Sequence, residues 1–375
     1  MTASAIETSS PANPPGSWVL PFTDRAKTLA RRSQFVSRRQ TIIISAVTAV
    51  VLLALPFVLN SYWLYQASIL IAYSIAVMGA RVLFGMAGIL SLAQATFVGI
   101  GAYTAAIAAS VFQLTGIYEL LLVIGVSILA ALIVGIPALR VSGLRLALLT
   151  LAVGELFQWL LVQGRTVTGG AQGIPVDSFF IPGVDTTDPV FLYSMCAVFA
   201  IIATAALGHL PFTQLGRNMA AVRESLFAAR SVGVAVNRTK LIAFVIAGLC
   251  AGISGFLIAH TSQSVTPTNY DLFSSVFILV GVILGGTSST FGAWLGAAYV
   301  SIVPPLFAAM NADRVYVLLS GALLVALIYV LPGGLVQLGH LSRRWVTAPR
   351  RTVRAASDSA VATDRAPSDS TGVQR

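Results

Sequence analysis

The sequence predicts an all-α fold: a polytopic membrane bundle of about ten segments, with broken or re-entrant pieces and both termini cytoplasmic. Three observations predict it. Of the 375 residues, 57% are hydrophobic and 10% charged, against about 25% charged in an ordinary soluble domain. Apolar runs near the roughly 20 residues that a spanning helix needs recur along the chain. The charges lie mostly between and beside those runs, where basic residues set topology. The net charge of +10 therefore points to a lipid bilayer and not to nucleic acid.

Residues 1–24 are rich in Ser, Thr, Pro and Ala, and Arg25, Lys27, Arg31, Arg32, Arg38 and Arg39 follow. Residues 1–40 are expected to form a disordered basic cytoplasmic tail. A cleavable leader has a short apolar core near the terminus. Here the run starts only at Thr41 and is long, so 41–59 is expected as an uncleaved first segment. The others are expected at 62–81, 89–112, 118–139, 144–163, 190–210, 240–260, 272–286, 290–308 and 315–337, within a membrane domain of 41–338. Gly285, Gly286 and Gly292 interrupt the eighth and ninth, leaving short or re-entrant pieces. Residues 339–375 read as a second disordered cytoplasmic tail.

The charge distribution supports this count. With the N-terminus inside, 21 of the 23 Lys and Arg fall on the cytoplasmic side or its edge, leaving only Arg165 and Arg314 outside. Glu119, Asp177, Asp185, Asp188, Asp271 and Asp313 fall in outer loops. A miscounted segment would invert every later loop and scramble that asymmetry.

"GMAGILSLAQATFVGIGAYTAA" (85–106) combines Gly85, Gly88, Gly99 and Gly101 with Ser91, Gln94 and Thr96. Small residues let helices approach where lipid supplies no hydrophobic drive. Gly248, Ala251, Gly252 and Gly255 repeat the habit, as do Gly292, Gly296 and Ala297. Broken backbone at membrane depth is tolerated only inside protein or along a water-filled cavity, and transporters place such breaks near the solute path. Ser91, Gln94 and Thr96, and later Thr287, Ser288, Ser289 and Thr290, are polar clusters beside glycines. Periodicity leaves two readings open for them, helix contact and path lining.

Glu155 is the one acid expected inside a span, roughly 16 Å from the cytoplasmic start of its helix at 1.5 Å per residue. It reads as a buried structural acceptor or as a path residue. Cys196 and Cys250 lie in apolar runs without a C-x-x-C partner and read as small buried hydrophobes. His209, His260 and His340 stand on separate segment ends, and no H-E-x-x-H occurs, so no metal site is expected.

Residues 211–240 form the long inner loop. Met219 to Arg230 consists of good helix formers with no breaker before Gly233. A short helix jutting from the membrane is shaped to dock in a groove of a cytosolic protein. The chain has no G-x-x-x-x-G-K-[ST] phosphate loop. It is therefore expected not to be an enzyme and to bind no cofactor, and any nucleotide energy comes from a partner.

Taken in order, the 85–106 block, "SGLRLALLTLAVGELFQ", "TGGAQGIP", "LGRNMAAVRESLFAARSVGV", "KLIAFVIAGLCAGISGFL", "VTPTNYDLFSSVFILVGVILGGTSSTFGAWLGA" and "LPGGL" resemble the inner-membrane permeases of ABC importers for branched-chain amino acids (the LivM type). The resemblance covers about residues 62–338. It implies a bacterial inner-membrane importer subunit paired with a second permease, identical or paralogous. Two cytoplasmic ATP-binding cassette subunits carrying ATP and Mg, and an extracytoplasmic solute-binding protein, complete the implied assembly. The inner loop would be its coupling element, with Arg223, Glu224, Phe227, Ala228, Ala229 and Gly233 against the ATPase. Phe227 stands where the permease pattern E-A-A-x-x-x-G has an acid. The implied solute path runs by Ser91, Gln94, Thr96, Gly99, Gly101, Glu155, Gly285, Gly286 and Gly292. Permeases of the same architecture carry urea, short amides and small organic acids. An ion-coupled transporter using Glu155, and an intramembrane enzyme, are the rival classes.

Overall fold

The computed structural model describes residues 38–114, 116–176, 188–286 and 290–309. The expected tails up to residue 37 and over 339–375, the tenth segment at 315–337, and Thr287, Ser288 and Ser289 lie outside the described residues.

The α-helices longer than four residues, in chain order, are α1 (Arg38–Ala54), α2 (Ser61–Arg81), α3 (Gln94–Ser110), α4 (Ile117–Ala138), α5 (Leu144–Gln163), α6 (Pro189–His209), α7 (Gln214–Glu224), α8 (Leu226–Ser231), α9 (Val236–Ser262), α10 (Leu272–Gly285) and α11 (Thr290–Ala309). Among the described residues, five helices are long and apolar enough to cross a membrane: Ser61–Met86, Ile117–Ala138, Leu144–Gln163, Pro189–Phe212 and Val236–Ser262. Thr41–Phe57, Leu272–Gly285 and Thr290–Ile302 are apolar but shorter. The all-α expectation needs one small correction. Ile174–Pro175 (β1) and Ser264–Val265 (β2) pair antiparallel, with Ile174 opposite Val265.

Short polar residues start several of these apolar runs for a local reason. The first N–H groups of a helix lack intrahelical partners, and Asn and Asp side chains supply acceptors. Asn60 accepts from Trp63 N–H, Asp188 from Val190 N–H and Asp271 from Ser274 N–H. Pro189 follows its cap at the first helical position, where its missing N–H costs nothing.

α9 is the centre of the bundle and packs on α2, α3 and α4. Its small residues face those neighbours. Gly248 lies against Ala131 of α4, Gly252 against Ser127 of α4, and Gly255 against the Val98 carbonyl of α3. Gly101 of α3 in turn lies on the backbone of Gly252. α10 and α11 meet in the same way, with Gly281 and Gly285 against Gly296 and Gly292. Close backbone approach replaces the hydrophobic drive that lipid does not provide.

A side chain at Gly101 would fall on the Gly252 carbonyl, whereas one at Gly125 on α4 meets nothing within 4 Å. Gly101→Leu is expected to destabilise the detergent-purified protein by about 1–3 kcal/mol or more. Gly125→Leu should leave the midpoint unchanged, and thermal unfolding followed by size exclusion measures both.

Candidate coupling and translocation site

The membrane segment expected at 89–112 begins later in the structure, because the chain is broken before it. α2 passes at Arg81 into a π-helical turn, Val82–Met86, a feature often found at functional sites. Residues 87–93 then leave the helix, with Gly88 at φ +69°, and α3 starts at Gln94. Backbone polar groups here need partners from protein, and neighbouring helices provide them. Thr150 Oγ1 of α5 accepts from Leu92 N–H at 2.9 Å. Ser275 Oγ of α10 accepts from Ala95 N–H at 3.1 Å, and Ser91 Oγ accepts from Ala93 N–H at 3.4 Å.

Gln94 bridges in the other direction. Its side-chain amide donates to the Ala76 carbonyl of α2 at 3.2 Å and the Ala247 carbonyl of α9 at 3.4 Å. Thr96 is buried beside Gly154 of α5. Gly99 lies against Phe157 of α5 and Tyr270. Tyr270 stacks edge-on against Tyr103, and burial first, then Tyr73 and Tyr103, pushes its phenol well above the ordinary value. Ser91, Gln94 and Thr96 thus sit where the break is held together.

The later cluster occupies a separate place. Gly285 and Gly292 form the α10–α11 contact, and Gly286 ends α10 at φ +92°. Thr290 Oγ1 accepts from the buried Arg81 guanidinium at 3.3 Å. Glu155 is on an exposed face of α5.

The inner loop is two helices, not one. Ser225 takes an extended conformation (φ −158°) between α7 and α8, and its hydroxyl accepts from Ala228 N–H to cap α8. Serine prefers caps to helix interiors, a signal the composition reading of 219–230 passed over. Ala229 is buried in a small cluster with Val222 and Val236. Phe227 and Val232 are 84% and 75% exposed, and Ala228 and Glu224 are exposed too. Gly233 closes α8 at φ +79°, a left-handed turn that suits glycine. Arg223 turns the other way. Its guanidinium donates to the Gly85 carbonyl in the π-turn, and its stem covers Gly88. The loop is therefore fastened to the break.

Residues 59–328 match the family described as "Branched-chain amino acid transport system / permease component". The chain belongs to this family of permeases. It is 31% identical over 312 residues to the high-affinity branched-chain amino acid transport system permease protein LivM of Salmonella typhimurium, covering 76% of this chain and 73% of that one. LivH of the same organism, named for the same system, is 23% identical over 70% of this chain and 91% of its own length. The autoinducer 2 import system permease protein LsrC of an Enterobacter species is 33% identical over 47% of this chain and 54% of its own. No solved structure gives a significant match.

The permease holds one further polar contact that sequence reasoning missed. Glu119, expected in an outer loop, lies in the first turn of α4 and is 1% exposed. His260 Nε2 donates to its Oε1 across 2.6 Å from the last turns of α9. Phe256 packs edge-on against the imidazole at 4.7 Å. Glu155 is thus not the only acid within a membrane helix. Nothing local marks this pair, since its members are 141 residues apart. A carboxylate in the first turn of a helix gains from the backbone dipole, which is the one sequence signal available.

Breaking a buried pair strands one polar partner. Glu119→Leu is expected to cost about 3–5 kcal/mol, and Glu119→Gln much less because it can still accept from His260. The double variant Glu119→Leu, His260→Leu should recover most of the loss. Thermal unfolding of these variants, together with His260→Leu alone, measures the cycle.

Proposed function

We propose that this chain is the membrane-spanning subunit of an ATP-driven importer that carries branched-chain amino acids from an extracytoplasmic binding protein into a bacterial cytoplasm. It pairs with a second permease and with two ATP-binding subunits that hold the ATP and Mg. Ten segments with both termini inside form the full bundle, in the inner membrane. The solute assignment follows the names of the LivM and LivH relatives. Two differently named permeases of one system in one organism also favour a paralogous partner.

What carries the reading is the inner loop. Its tip presents apolar Phe227 and Val232 to solvent, while Arg223 ties the same loop to the Gly85 carbonyl beside the broken segment. A knob docked in an ATPase groove would transmit closure of that partner to the break through Arg223. The 87–93 segment and the α10–α11 glycine contact then move around a solute path that includes Ser91, Gln94, Thr96, Gly99, Gly101, Gly285, Gly286 and Gly292. The permease itself forms no covalent bond with the solute.

Reconstitution of the chain with its genomic partners in vesicles tests this directly. Uptake of leucine, isoleucine or valine against a gradient should require both the binding protein and ATP hydrolysis. Accumulation by the purified chain alone would overturn the proposal.

Two variants separate docking from transmission. Loss of a central aromatic anchor costs 2 kcal/mol or more, so Phe227→Asp should weaken ATPase association roughly thirtyfold with normal membrane insertion. Arg223→Ala should keep the ATPases bound yet lower solute moved per ATP hydrolysed. Co-purification and coupled uptake assays read the two effects.

A further inference from the structure

Residues 211–240 carry Arg217, Arg223, Arg230, Arg238 and Lys240 against a single acid, Glu224. Two of these cations are used inside the protein. Arg217 donates to the Phe212 carbonyl and Arg223 to the Gly85 carbonyl. Arg230 and Arg238 are exposed. Among the described residues the single ion pair is Glu119–His260, so neither guanidinium meets a carboxylate there.

The two arginines come from different elements and line one cavity of about 400 Å3. Arg230 lies in the last turn of α8 and Arg238 in the first turn of α9, and Ala235, Val236 and Asn237 complete the wall. Lys240 is half-buried and within electrostatic reach of Arg230. Cations gathered without a counter-charge repel one another. Ala235 has no side-chain acceptor to cap α9, so the N–H groups of Val236, Asn237 and Arg238 stand without a partner among the described residues. Two guanidinium forks and a helix start together suit an anion with several oxygens. Phosphate has them, and both kinds of donor bind it.

The depth of the cavity favours a lipid as the source. α9 has 27 residues and runs roughly 40 Å at 1.5 Å per residue. A bilayer with its headgroups is about 40–45 Å thick, so the first turn of α9 stands at headgroup level.

We propose that this cavity binds a phosphate-bearing anion, its depth favouring the headgroup of an anionic phospholipid in the inner leaflet, and so clamps α8 to the first turn of α9. The phosphate chemistry is independent of the importer reading, while the choice of leaflet rests on the topology given with it. α8 otherwise meets α9 through the apolar contacts of Ala229 and Val236. A bound phosphate adds a charged tie beside them, so lipid composition would set how stiffly the loop follows α9.

Hydrogen exchange of the purified full chain in lipid nanodiscs reads the site directly. Amides 236–238 are compared in discs of phosphatidylglycerol and of phosphatidylcholine, whose choline cancels the phosphate charge. Exchange is expected about tenfold slower in phosphatidylglycerol, the lower bound for a hydrogen bond to a charged acceptor. Arg230→Gln with Arg238→Gln should abolish the difference. Arg140→Gln with Arg145→Gln, which removes equal charge from exposed residues around the α4–α5 turn, should keep it. Arg238→Gln alone serves if the pair disturbs insertion, with about fivefold of the slowing lost. Inorganic phosphate added to the phosphatidylcholine discs separates the sources. Slowing there assigns a phosphate from the cytosol, and slowing in phosphatidylglycerol alone assigns the lipid. Equal exchange under all these conditions overturns the proposal. So does slowing that survives in the Arg230 and Arg238 variant or vanishes in the Arg140 and Arg145 control. Slowing by added ATP-binding subunits alone would make the cavity a protein contact and overturn it too. Uptake is not measured, so a failure of the importer reading leaves these outcomes unchanged.

Discussion

A backbone N–H or C=O buried away from water must find its partner within the protein, and residues 87–93 are where this structure confronts that constraint. A continuous helix satisfies itself. The stretch from the π-turn to Gln94 does not, so groups from elsewhere must come to it. Thr150 brings α5, Ser275 brings α10, and Gln94 reaches to α2 and α9. The break is thus a fastening point for much of the bundle. A segment held by single hydrogen bonds to several helices can change partners without unfolding any one of them. That makes it a better moving part than an intact helix, whose internal ladder resists local change.

α9 gives the fastening a lever. Its 27 residues run roughly 40 Å at 1.5 Å per residue, from the inner loop to the strand pair. At the inner end, Val236 packs with Val222 and Ala229 of the loop. Towards the other end, His260 meets Glu119, and Val265 pairs with Ile174 just beyond. Between them, glycines set α9 against the backbone of α3 and the small side chains of α4. Interfaces without large side chains have little slack, so a displacement of the loop would reach the far end of α9 as a rigid movement. The Glu119–His260 bond is well placed to fix where that end rests.

Most of the helical layout was legible in the sequence, because hydropathy and flanking turn residues are local signals. Glycine spacing likewise foretold the contacts of Gly248, Gly252, Gly255 and Gly292. Three features were not legible, each for a physical reason. Hydropathy averages over a window and cannot see that 87–93 is apolar but not helical. Ser225 splits the loop through a single cap, which composition over 219–230 hides beneath strong helix formers. Glu119 looks like a loop acid until His260 is brought to it by tertiary packing. Among the site residues, Ser91, Gln94 and Thr96 stood out as polar in an apolar run, but their bonding partners lie on other helices. Ala229 matched a docking motif, yet it packs inward, and the exposed Phe227 and Val232 form the tip.

The treatment of charge follows from the same constraint. Arg81 and Glu119 are desolvated and held by partners of their own protomer, which suits groups with a structural task. A transport path needs the opposite. Binding there must be favourable enough for entry and weak enough for exit, so a fully paired charge would be inert and a complete amino-acid clamp would trap its cargo.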